Sequence, residues 1–262
     1  MRVIILTSSD KGTASHHLEY LLKSKQIHVC LVVQNTNAIA PRNKWKKKFR
    51  KLRKIGVLGA WNGMRMRKWY NGDLYKYLRI KSIAEVCREH SIPLRTVRAI
   101  NQEETRKLFR EAGADLGISL GNGYIPKSVF SIPANGMINI HHEELPAFQN
   151  AQSVIWQLYT GSNKTGFTIH EIDSRIDTGN ILYKETMDLE FRETLSDTVT
   201  YNLARLYEKS AIALVNVLEH YKEYKNNAYV QQGGISYTTP SFRNFIRIKK
   251  QYRELKNRSA KT

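Results

Sequence analysis

The chain has 262 residues, 41% of them hydrophobic and 25% charged, with a formal net charge of +19; that is enough for one large or two small domains with a buried core. Two cysteines, Cys30 and Cys87, exclude a disulfide framework and a cysteine-based metal site, and both sit in apolar runs where a free thiol packs as a small hydrophobe. No stretch approaches the roughly 20 apolar residues of a bilayer span, and the N-terminus runs straight into Val3-Ile4-Ile5-Leu6 with no signal-peptide pattern, so a cytoplasmic, reducing location is expected.

Arg2 to Thr7 is apolar without alternation, which predicts a buried parallel strand. A polar loop follows, with Thr13 or Ser15 as candidate caps for a helix carrying Leu18, Leu21 and Leu22. Val29 to Val33 predicts a second strand, and strand–helix–strand of this length is a βαβ unit. After an interruption the pattern resumes. Ile83 to His90 reads as helix, Leu94 to Val97 as strand, and Glu103 to Ala112 as helix stopped by Gly113. Leu116 to Leu120 and Met137 to His142 are strands, and Ala151 to Tyr159 is a helix ended by Gly161. Gly166 to Ile172 and Ile181 to Leu189 alternate like a hairpin, and Thr194 to Tyr221 is a long amphipathic helix. The expectation is an α/β, Rossmann-like parallel-sheet core over 1–221, interrupted by a basic insertion at 42–72 and followed by a short basic C-terminal extension at 222–262.

The chemistry concentrates in Ile138-Asn139-Ile140-His141-His142-Glu143-Glu144-Leu145-Pro146 and in Ile176-Asp177-Thr178-Gly179. Asn139 and His141 are two residues apart on a strand, so both side chains leave the same face. Asp177 follows at a turn. An amide, an imidazole and a carboxylate are the groups needed to move an acyl carbon between amines: the amide donates to the oxygen that becomes negative, the imidazole moves a proton near neutral pH, and the carboxylate orients the imidazole and stabilises its cation. Alternation sends His142 to the opposite face, and His170 reads as a structural histidine. Gly121-Asn122-Gly123 follows a strand, but Pro126 stands where a dinucleotide fingerprint needs its third glycine and no helix opens there.

Asn-x-His, Leu-Pro and a downstream Asp-x-Gly together resemble the signature of the N10-formyltetrahydrofolate-dependent formyltransferase family, over roughly residues 75–190. The resemblance implies a Rossmann-like catalytic domain with Asn139, His141 and Asp177 as its catalytic groups. It also implies N10-formyltetrahydrofolate as co-substrate, no metal, and a folate-binding loop at Gly121 to Ile125, with Gly121, Gly123, Tyr124 and Ile125 meeting the pterin edge. The chain departs from the family on the acceptor side. His142-Glu143 replaces a frequent Pro-Ser, and Gln149-Asn150 a frequent Arg-Gly or Lys-Gly, which makes Glu143, Gln149 and Asn150 candidate acceptor contacts. Acids there disfavour a phosphorylated ribonucleotide acceptor.

The net charge is confined to two segments. Arg42 to Lys68 holds twelve Lys or Arg and no acid; Arg243 to Lys261 holds eight and one acid, Glu254. Contributions of +12 and +7 account for the whole net charge, so the rest of the chain is neutral. Trp45, Phe49, Leu52 and Ile55 recur at helical steps among the cations, and Trp61, Met64 and Trp69 extend the apolar set. Such a helix caps the sheet, binds a sugar-nucleotide diphosphate, contacts anionic lipid peripherally, or grips a tRNA acceptor stem. The tRNA-acting relatives end in a β-barrel, for which the last 40 or so residues offer little room; turn material at Gly233-Gly234 and Pro240 predicts a hairpin or tail, with pairing to a second subunit as an option. The expected reaction is therefore formyl transfer to the primary amine of an amino-sugar nucleotide, such as a dTDP- or GDP-linked 4-amino-4,6-dideoxyhexose, in lipopolysaccharide O-antigen or other surface-glycan assembly. The alternatives are formylation of an aminoacyl-tRNA, hydrolysis of the formyl donor, and a non-catalytic RNA-binding protein on the same scaffold.

Overall fold

The computed structural model describes residues 1–37 and 44–260; Arg42 and Lys261, both within the basic segments, lie outside them. Arg2–Thr7 (β1) is an interior strand of the sheet, with Val3 to Leu6 buried on both faces. Thr13–Leu21 (α1) leads to His28–Asn35 (β2), parallel to β1. Lys44–Asn71 (α2), a 3-10 turn at Asp73–Lys76 and Ile83–Glu89 (α3) precede Leu94–Val97 (β3), which adds beside β2. Glu103–Ala112 (α4), closed by a left-handed Gly113, returns the chain to Leu116–Leu120 (β4) on the other side of β1. Lys127–Phe130 (α5) joins it to Met137–His141 (β5), the fifth parallel strand. Ile155–Thr160 (α6) precedes an antiparallel hairpin, Lys164–Glu171 (β6) and Ile181–Asp188 (β7). Leu195–Glu219 (α7), Tyr221–Asn226 (α8) and Phe242–Ser259 (α9) complete the described chain.

The seven strands run β3-β2-β1-β4-β5-β6-β7. Alternate residues of β1 feed two cores. Val3 and Ile5 pack with Leu18, Ile83 and Leu214 of α1, α3 and α7, whereas Ile4 and Leu6 pack with Phe109 of α4 and Val129 of α5. The chain leaves β1 toward β2 and leaves β4 toward β5, so the carboxyl ends of β1 and β4 diverge into a crevice, the usual ligand site of open α/β sheets.

Three local expectations change. The first cap is Gly12: Ser15 Oγ accepts its N–H (3.2 Å), while Thr13 donates its hydroxyl proton to Tyr207 (2.9 Å) instead. The helix expected from Ala151 begins at Ile155, since Val154 has φ 69° and Ser153 and Val154 make a turn. The basic tail, expected as a hairpin, contains an 18-residue helix capped by Ser241. Phe245, Ile248, Tyr252 and Leu255 recur at spacings of 3, 4 and 3 and share a core with Met66, Trp69 and Ile155. The tail is therefore packed against the catalytic body along a helical stripe that its basic composition conceals.

Candidate active site

The crevice is a cleft of about 310 Å³ lined by the ends of β4, β5 and β6, the 121–125 loop and the turn after β6. It brings together Asn139, His141 and Asp177, with Asn150 and the Gly121–Ile125 loop at its walls. Strand alternation places Asn139 and His141 on one face of β5. The β5–β6 register then sets His170 directly opposite Asn139.

His170 was expected as a structural residue, yet it orients the amide. Its Nδ1 lies 2.8 Å from the Glu171 carbonyl, which can only accept, so Nδ1 carries the proton. Nε2 is then an acceptor for Asn139 Nδ2, at 3.2 Å. That fixes which end of the Asn139 amide is the donor and leaves its second N–H for a ligand. Burial pushes the imidazole down to about 4, which keeps it neutral and able to accept, and the Asp177 carboxylate opposes that shift only in part.

His141 Nε2 donates to the Phe148 carbonyl at 2.9 Å. In the neutral ring Nδ1 therefore holds the lone pair, and no hydrogen bond from a described residue uses it. Asp177 lies between the two histidines. Oδ2 is 3.9 Å from His141 and Oδ1 3.8 Å from His170, a charge-pair separation longer than a hydrogen bond. What holds the carboxylate is the Asn150 backbone N–H, 2.8 Å from Oδ2. Both residues have left-handed backbones, Asp177 at φ 56° and Asn150 at φ 51°, a region that Asn and Asp enter at least cost.

Gly179 completes the Asp-x-Gly turn for a steric reason: a Cβ there would fall on the Glu171 carbonyl oxygen. Gly179→Ala is expected to cost about 3 kcal/mol by forcing β6 and β7 apart at their joint. Chemical denaturation checks this, and an unshifted midpoint would mean that the turn opens freely. Upstream, Thr168 staples the Leu145-Pro146 segment to β6, donating its hydroxyl to the Glu143 carbonyl (2.8 Å) and accepting the Leu145 N–H (3.0 Å).

The candidate acceptor residues separate. Asn150 lines the cleft, and its amide donates to the Tyr237 carbonyl (3.1 Å). Gln149 does not line it; its backbone pairs with Ile235 and Tyr237, tying the tail to the site. Glu143, expected to meet the acceptor, is fully buried and turned away, with the Gln157 amide donating to Oε2. Burial pushes its carboxyl well above the usual carboxylate range. Glu143 Oε1 and Gln157 Oε1 both lack a partner; protonation of Glu143 supplies the donor they need, closing an acid–amide pair. At the opposite wall, backbone groups of Gly121 to Ile125 make no turn or ladder bond among the described residues, and Asn122 braces the loop through its side chain to Leu6 and Ser8.

A second polar cluster abuts the cleft. His17 Nδ1 donates to the Thr13 carbonyl (2.7 Å), Ser210 donates to His17 Nε2 (2.9 Å), and His142 Nε2 donates to Ser210 Oγ (3.1 Å). His142 stacks on Tyr207 at 4.6 Å. It edges the cleft but is committed to α7, as strand alternation implies.

The family described as Formyl transferase matches residues 1–218. Among curated proteins, the methionyl-tRNA formyltransferase of Rickettsia typhi is 33% identical over 122 residues, covering 46% of this chain and 40% of that protein. The chain thus spans well under half the length of the curated relatives it matches. Among solved structures, phosphoribosylglycinamide formyltransferase from Anaplasma phagocytophilum aligns at a TM-score of 0.56 and 17% identity, over 83% of this chain and 85% of that one. An N-formyltransferase from Helicobacter canadensis in complex with folinic acid and dTDP-3-aminofucose aligns at 0.53 and 17%, over 93% and 71%. A sugar N-formyltransferase from Shewanella aligns at 0.54 and 12%, over 96% and 87%. These likenesses share the fold, while the family match runs through every strand of the sheet: the chain belongs to the formyl transferase family.

Proposed function

We propose that this protein transfers a formyl group from N10-formyltetrahydrofolate to the primary amine of an amino-sugar nucleotide. The observation that carries the chemistry is the convergence of Asn139, His141 and Asp177 on one cleft. N10-formyltetrahydrofolate supplies the formyl carbon. Asn139 Nδ2, aimed by His170, donates its remaining N–H to the oxygen that turns negative as the amine attacks. His141 takes the amine proton on Nδ1, Asp177 stabilises the imidazolium from 3.9 Å, and the proton passes to N10 of the folate as the C–N10 bond breaks and the oxygen regains its double bond to carbon. The unpaired backbone edge of Gly121 to Ile125 suits a heterocycle with donors and acceptors along one side, as a pterin has.

Arg175 lines the same cleft with no ion pair among the described residues, a cation available to a diphosphate. The sugar reading is further supported by the likeness to solved sugar N-formyltransferases, which covers 93% and 96% of this chain. The curated relatives favour a second reading, an aminoacyl-tRNA acceptor. Tetrahydrofolate release, followed by absorbance with dTDP- and GDP-linked amino sugars and with initiator methionyl-tRNA in parallel, separates them. Turnover on a sugar nucleotide alone is expected. Turnover on the tRNA alone would replace the acceptor, and none on any amine would remove the formyl-transfer assignment.

A further inference from the structure

Helix α2 breaks at Gly56 (φ 73°, ψ 170°) into two segments. The second docks through Gly59, Asn62, Met66 and Trp69, a buried seam against α7 and α9. The first meets the body almost only at Ile55. Large apolar side chains off that seam face outward: Trp45 is 81% exposed, Phe49 64% and Trp61 53%, with Leu52, Val57 and Met64 exposed among them. Trp45, Phe49 and Leu52 fall at i, i+4 and i+7, so they form one stripe. Lys46, Lys48, Arg50, Arg53 and Lys54 flank it and make no ion pair among the described residues. Lys48 and Arg65 lie over the Trp45 and Trp61 rings, at 5.2 and 4.9 Å.

The tail adds to this surface. Thr239 and Pro240 abut Gly63 and Gly59 of α2. There α9 begins, with exposed Phe242 and Ile246 beside Arg243 and Arg247. The two basic segments, far apart in sequence, therefore meet.

We propose that this face docks the protein peripherally on an anionic lipid surface. Its charge calls for an anionic partner, and its exposed Trp, Phe, Leu, Val and Met call for one that also buries apolar area. Phosphodiester backbones satisfy only the first demand, since Leu52, Val57 and Met64 neither pair with phosphate nor stack on bases. A second copy of the chain is opposed by charge of the same sign. The headgroup–acyl boundary of an anionic bilayer satisfies both demands. The helix lies on the surface, because no described helix is long and apolar enough to cross a membrane. This inference holds whichever amine is the acceptor.

Vesicle co-sedimentation of the full chain tests it, with phosphatidylcholine alone and with about 30% phosphatidylglycerol. Binding is expected only with the anionic lipid, weakened about tenfold by the combined Trp45→Ala, Phe49→Ala and Trp61→Ala changes and by salt raised to about 0.5 M. Those side chains are exposed, so circular dichroism should show an unchanged fold; Lys46→Glu with Arg50→Glu gives an independent electrostatic variant with the same expected loss. No partition onto anionic vesicles, or partition unchanged in both variants, overturns the proposal. Tight binding to a duplex RNA hairpin without vesicle binding overturns it in favour of nucleic acid.

Discussion

His141→Ala is expected to lower turnover about a thousandfold with the fold intact. The substitution removes the Nδ1 lone pair that takes the amine proton and the imidazolium that Asp177 stabilises. It leaves the Asn139 donor in place, so some activity above the uncatalysed rate should survive. Asn139→Ala should cost about a hundredfold or more, as loss of one preorganised oxyanion donor does elsewhere. His170→Ala is a sharper test of the geometry, because His170 acts through Asn139 and not on the reacting atoms. It should lower kcat about tenfold with KM nearly unchanged, and His170→Gln, whose carbonyl can still accept the Asn139 N–H, should recover part of that loss. Near-normal turnover of His141→Ala would sink the site assignment. Equal losses for both His170 variants would sink the orienting role.

Acid should unfold this protein early. His142 is held down to about 3 and His170 to about 4, in each case chiefly by burial, and burial lowers His16 and His17 as well. A histidine whose folded pKa lies below its unfolded value of about 6.5 binds its proton more readily in the unfolded chain. Stability from such groups is full above pH 6.5 and is lost as pH falls toward the folded values. At pH 5 the loss is about 2 kcal/mol for each of His142 and His170 taken singly. Glu143 works in the opposite direction. Its carboxyl is raised by burial, so the folded state keeps a proton that the unfolded chain releases, and stability contributed by that group falls as pH rises through the unfolded carboxylate range. With several buried imidazoles against one buried acid, Tm should fall steeply from pH 6.5 to 4.5. Glu143→Gln preserves the shape of the pair with Gln157 and removes the ionisation. It should raise Tm at pH 8 more than at pH 5 and make the acid fall steeper. Thermal melts across that range decide the matter: a flat Tm would mean that the histidines are solvated, and an equal shift of Glu143→Gln at both pH values would mean that Glu143 is already ionised.

Much of the sheet was legible because local periodicity encodes it. Val3 to Leu6 reads as a two-sided buried strand with no knowledge of its neighbours, and Gly113 stops α4 by its own backbone preference. The residue types of Asn139, His141 and Asp177 announce acyl chemistry for the same reason, since two of them share a strand face by alternation alone. The helix at 242–259 was missed because its apolar stripe of four residues is diluted by cations, and only the facing residues of α2 and α6 reveal that the stripe is buried. Gln231 to Pro240 reads as turn material and proves to be a strap whose Ser236 and Tyr237 pair beside the site.

What the sequence by itself determined is the order of the strands along the chain, the identity of the candidate catalytic groups and the placing of Asn139 and His141 on one face. What only the tertiary structure decided is who stands beside whom: His170 against Asn139, the Asn150 amide on Asp177, Gln157 on Glu143, and the two basic segments against each other. The division follows from range. Side-chain direction within an element repeats every 2 or 3.6 residues and is written in a few neighbours. Strand register, burial of a carboxyl and the docking of a tail are set by contacts 14 to more than 170 residues apart, where packing selects one arrangement among many that the same local pattern allows.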